Sequence, residues 1–153
     1  MAANVLIIAI GNESRGDDAL GPLLMRSLQA EFEYPDFEFI EDFQLQVEHV
    51  TDLQGRDAVL FIDADVSCVE PFHFSAIKAA HDLSYTSHAM TPHALLHAYH
   101  QFYGGGAPPA FLLRIRGYGF ELGESLCAGA TANLEHAAGM IRSWLADFRA
   151  LRE

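Results

Sequence analysis

The run "VLIIAI" at residues 5 to 10 constrains the fold more than any other stretch, because no position in it could meet water. A strand of that composition must be covered on both faces, as strands of a parallel sheet are. Two further runs have the same character, "DAVLFID" at Asp57 to Asp63 and "AFLLRIR" at Ala110 to Arg116. Shorter strands are expected at Phe37 to Glu41 and at Phe72 to Lys78, where Phe72, Phe74 and Ala76 alternate with His73 and Ser75.

Helical spacing fills the intervals. A helix is expected from Asp18 or Ala19 to Phe32, and another over Val47 to Leu53, with Val47, Val50 and Leu53 on one side. Thr91-Pro92 is a good start for a helix running to Phe102, since threonine can cap free N–H groups and proline suits the first turn. From Ser125 the pattern is helical to the end, with Leu134, Ala137, Ala138, Ile141 and Leu145 recurring on one face. "YGGGAPPA" at Tyr103 to Ala110 reads as a loop rather than a domain linker. Strands alternating with helices predict an α/β protein of three layers, α/β/α, with a twisted, mostly parallel sheet and helices on both faces. Residues 1–153 are read as a single domain.

Charge narrows the partners. The formal net charge is −12, and Lys78 is the only lysine in a sparse basic set, so no stripe exists that could track nucleic-acid phosphates. An acidic surface by itself speaks mainly of solubility. Cys68 and Cys127 form no CxxC pair and are expected as buried, reduced thiols. No run is long enough to span a bilayer, and the N-terminus lacks the basic region of a secretory signal. A soluble, cytoplasmic protein without a membrane partner is expected.

In a parallel α/β sheet, ligands bind outside the C-terminal ends of the strands. Three segments put polar residues there: "GNESRGDD" after the first strand, Asp63 after the "DAVLFID" strand, and "TSHAMTPH" before the Thr91 helix. Together they hold carboxylates and imidazoles, a donor set that suits zinc, nickel or another divalent first-row ion. Singly, each has a plainer reading. A carboxylate in a first helical turn can serve the helix dipole, so capping accounts for one of Asp17 and Asp18. Asp63 alone reads as a satisfied loop residue, Asp65 as an exposed loop carboxylate, and His88 as structural or exposed. His93, His97 and His100 share a helix face but lack the HExxH glutamate, and they read as structural. Arg114 and Arg116 read as a charged strand face. "GNESRG" is neither a dinucleotide fingerprint nor a P-loop, and no GxSxG elbow is present.

Taken in order, "GNESRGDDALGP", "VLFIDA", "SHAMTPHALL" and, more loosely, "GYGFELGESLCAGATANLEHA" resemble the hydrogenase maturation proteases, endopeptidases that process the large subunit of nickel–iron hydrogenases. The resemblance implies a metal site at Asp18, Asp63 and His88. The family often has glutamate where Asp18 stands, one methylene longer. It implies that Gly11, Asn12 and Asp17 shape the loop approaching that site. It also implies the activity: removal of a C-terminal extension from the large-subunit precursor once nickel is inserted, with nickel supplied by the substrate and zinc or cadmium as possible stand-ins. Where many members carry a Gly/Thr-rich turn, this chain has "EDFQLQVEHV", and Glu41 to Val50 is expected to contribute to the substrate-facing cleft. The other readings are a non-proteolytic nickel-sensing module on the same fold, and a plain interaction protein whose carboxylates only cap helices.

Overall fold

The computed structural model describes residues 4–81 and 90–151. Strands β1 (Val5–Ile10), β2 (Phe37–Asp42), β3 (Ala58–Asp65), β4 (Phe72–Ile77) and β5 (Ala110–Arg116) form one five-stranded sheet in the order β2-β1-β3-β5-β4. The β2–β1, β1–β3 and β3–β5 pairs are parallel, whereas β4 runs antiparallel at the edge. Helices α1 (Leu20–Gln29), α2 (Pro92–Tyr103) and α3 (Ala128–Leu151) cover it.

The continuous apolar runs explain the layering. Val5 and Ile7 of β1 point into one core with Leu60, Ile62, Leu113 and Ile115, under Leu20, Leu24 and Leu28 of α1 and Ala137, Ile141 and Leu145 of α3. Leu6 and Ile8 point the other way, joining Val59, Phe61 and Leu112 under Leu95, Leu96 and Tyr99 of α2 and Val50 and Leu53 of a 3-10 segment, Val47–Leu53. Side chains of β1 and of the apolar run of β3 therefore alternate between two cores.

Element bounds differ from expectation where long-range partners intervene. Val47 to Leu53 is helical but of the tighter 3-10 kind. The first helix opens with a 3-10 turn, Gly16–Ala19, and α1 stops at Gln29, because Glu31 N and Phe32 N both turn back to Leu28 O. Phe32 is nonetheless buried, packed edge-on against Phe37 at 5.1 Å between centroids. The long C-terminal helix begins at Ala128 rather than Ser125. The Thr91 cap forms as expected: its Oγ1 accepts from Ala94 N at 3.1 Å, and Pro92 opens α2.

Asp63 does not close its strand, as the sequence reading expected. β3 continues to Asp65, which is no exposed loop residue: it pairs in register with Arg116 and its Oδ2 accepts from Arg114 at 3.0 Å. Cys68 is buried but Cys127 is exposed, its Sγ drawn to Asp17 Oδ2 at 3.1 Å instead of into the core. No described helix is long and apolar enough to cross a membrane.

Candidate active site

The loop from Gly11 to Asp18 turns at the C-terminal end of β1. Gly11 has φ +150°, and a Cβ there would fall 2.1 Å from Asp18 O, so only glycine lets the loop fold back on itself. The return brings Asn12 N to Asp18 Oδ2 at 2.9 Å, while Asn12 Oδ1 accepts from Ser14 N. Behind the loop, a Cβ on Gly21 would lie 2.7 Å from Ile10 O and 3.1 Å from Ile62 O. The start of α1 therefore lies directly against the ends of β1 and β3, and the turn carrying Asp18 is carried over to Asp63.

The adjacent carboxylates have opposite environments. Asp17 is 1% exposed and caps no helix of its own. Its oxygens accept from Tyr118 N at 2.7 Å, Gly119 N at 3.2 Å, Cys127 N at 2.9 Å and Cys127 Sγ at 3.1 Å. Burial acts to raise its pKa, but these donors outweigh it and hold the carboxyl below its ordinary value. Asp17 thus ties the β1 loop to the loop after β5 and to the start of α3.

Asp18 and Asp63 are poorly compensated. Burial raises the Asp18 carboxyl, against partial relief from Asn12 N and the Arg15 charge. Asp63 is pushed up to about 7, first by burial and then by the negative charges of Asp18 and Asp65, with relief from Ala64 N at 2.8 Å. Two carboxylates pushed up by burial, one of them also by the charge of the other, and each with most of its lone pairs unused by the described donors, make a site short of positive charge. Oxygen donors in that state suit a divalent cation. His88 lies outside the described residues; Met90, further along the same segment, bridges to Leu45. Among the described residues no group of three or more possible ligands converges.

Beside Asp63 opens a cleft of about 440 Å3, lined by Asp65, Ser75 and Ile77 on the sheet side and by Pro92 and His93 at the start of α2. Arg114 also lines it, a residue that in the sequence reads only as part of a charged strand face. It is the register partner of Asp63 on β5 and of His73 on β4, so the three side chains form a row across one face of the sheet. That row depends on strand order, which no local pattern contains. The histidines of α2 are engaged locally: His93 Nδ1 lies 3.0 Å from Lys78 O, and the His97 ring packs on His81 at 5.1 Å.

No family model matches the chain, and no curated protein matches it in sequence. Solved structures do match. The hydrogenase maturation protease HycI from Thermococcus kodakarensis and the hydrogenase maturating endopeptidase HybD from E. coli each superpose with a TM-score of 0.71 at 21% identity, over 94% of this chain and 93% of theirs. The fold is that of the hydrogenase maturation proteases. An E. coli endopeptidase solved in solution agrees, with a TM-score of 0.72 at 20% identity over 94% of this chain and 93% of its own. The mostly parallel sheet between helices, read from the apolar runs, is the fold of these neighbours.

Proposed function

We propose that this protein is a hydrogenase maturation protease: an endopeptidase that removes the C-terminal extension of a nickel–iron hydrogenase large-subunit precursor after nickel insertion. The reading rests above all on the buried, poorly compensated carboxyls of Asp18 and Asp63 at the mouth of the sheet, on a fold whose solved examples bear that name, and on the ordered motifs that include His88. In this reading Asp18, Asp63 and His88 are receptor ligands, and the nickel they meet belongs to the substrate.

The chain's own part follows from its electrostatics. Burial and the nearby negative charges favour the protonated form of Asp63, and ligation requires the ionised form, so engagement of the precursor's nickel is coupled to loss of that proton. The cation also relieves the repulsion between Asp63 and Asp18, so the pair favours a loaded precursor over an empty one. A divalent ion held there can polarise the scissile carbonyl or lower the pKa of water. The peptide reaches this point through the cleft lined by Ser75, Pro92, His93 and Arg114. Asp17 supports the site by holding the Gly11–Asp18 loop against the loop after β5.

Substitution tests the assignment. Asp18→Ala and Asp63→Ala should each lower cleavage of the nickel-loaded precursor by about a hundredfold or more while the proteins stay folded. Retained cleavage would reduce both carboxylates to a structural role. Nickel-dependent binding without cleavage by the wild type would favour the sensing module.

A further inference from the structure

The loops around the site hold large apolar side chains in water, and their backbone geometry keeps them there. Phe43 and Leu122 are each 67% exposed. Phe43 follows β2, where Asp42 O accepts from Gly11 N at 3.1 Å and Asp42 Oδ1 from Phe43 N at 2.7 Å. Leu122 sits in the loop after β5, where Gly123 N donates to Ser14 O at 2.7 Å and Gly16 N to Glu124 O at 3.1 Å. The two residues therefore bracket the Gly11–Asp18 loop from opposite sides. Val66 and Val69, 53% and 60% exposed, lie on the loop that follows Asp63 and Asp65.

None of this is loose chain. Asp17 binds the loop after β5 through Tyr118 N and Gly119 N, and Arg26 of α1 bridges Glu13 and Glu41. The apolar groups are thus presented on a pinned backbone, as anchors of a protein interface are. Glu41 precedes the Phe43 side of the rim, and Glu121 and Glu124 flank Leu122, all exposed.

We propose that Phe43 and Leu122 are the anchors on which the folded body of the substrate protein seats, so that its peptide extension enters at Asp18 and Asp63. The face they fit is apolar at its centre, with lysine or arginine around it to meet Glu121, Glu124 and Glu41. This inference rests on the function proposed above, which makes the partner a folded precursor rather than a free peptide.

The test is the affinity of the full chain for nickel-loaded large-subunit precursor, measured by isothermal titration calorimetry alongside cleavage. Phe43→Ser and Leu122→Ser should each weaken binding by at least about tenfold, with melting temperatures within about 2 °C of wild type because both sites are exposed. Tyr34→Ser, at the opposite end of the sheet and 75% exposed, should leave affinity unchanged. Added salt should weaken wild-type binding. Precursor binding and cleavage that ignore both rim substitutions would overturn the inference and leave the proposed function standing. Rim-dependent binding without cleavage would overturn the enzymatic reading and leave the docking surface standing. A wild-type dimer that Phe43→Ser or Leu122→Ser converts to monomer, with precursor affinity unchanged, would make the rim a self-interface and overturn the inference.

Discussion

Asp17 and Asp18 are neighbours in sequence with opposite energetics. Asp17 is saturated by backbone donors and held below its ordinary pKa, whereas Asp18 and Asp63 are pushed up. Asp63 therefore makes a signed prediction. A carboxyl raised in the fold binds its proton more tightly there than in the unfolded chain, so its share of stability is present at low pH and is lost as pH rises from its ordinary 3.8 through about 7. Asp63→Asn should raise the melting temperature relative to wild type at about pH 8 and change it much less at about pH 4. An unchanged or lowered value at the higher pH would mean that Asp63 is not strained in the fold. Asp17→Ala has the opposite expectation: it strands the N–H groups of Tyr118, Gly119 and Cys127, and urea denaturation should show a loss on the order of 3 kcal/mol. A loss below about 0.5 kcal/mol would be that of an ordinary surface site.

At the scale of elements, the site depends on how closely the β1 loop folds back. A methyl group at Gly11 would collide with Asp18 O and displace the carboxylate beside it. Gly11→Ala should weaken nickel-dependent precursor binding and lower stability by about 1–3 kcal/mol; a variant with wild-type affinity and stability would show that the loop can open without consequence. Legibility in the sequence follows the same division between local and distant causes. β1 and β5 are readable to the residue, β1 because every position along it is buried and β5 because Ala110, Leu112, Leu113 and Ile115 are. α3 was read three residues too early, because its start is set by Asp17, 110 residues away along the chain. β3 was read too short, because Asp65 is kept in the ladder by Arg114 and Arg116, whose adjacency exists only once β3 and β5 pair. The alternation of Phe72 and Phe74 with His73 and Ser75 announced a strand but carried no sign of its antiparallel direction. Arg114 reads as no more than a charged strand face for the same reason. Asp18 and Asp63 are readable as candidates because strand ends are where such folds place ligands, but the upward push of burial and of the Asp18 charge on Asp63 is not.

The whole molecule assigns different work to its two ends. Strand ends β1 and β3 bring Asp18 and Asp63 together, and the loops after β2, β3 and β5 surround them with exposed apolar side chains. The chain as a whole carries a formal net charge of −12. At 21% identity to neighbours that superpose over nearly their full length, the fold has been kept while most side chains differ, so a shared activity must be argued from the site. The most direct test is incubation of the purified protein with nickel-loaded and nickel-free large-subunit precursor, read by mass spectrometry. Loss of a C-terminal peptide is expected from the nickel-loaded form alone, abolished by Asp18→Ala, Asp63→Ala or His88→Ala. Equal cleavage of both forms, or an intact nickel-loaded precursor of the cognate hydrogenase, would contradict it.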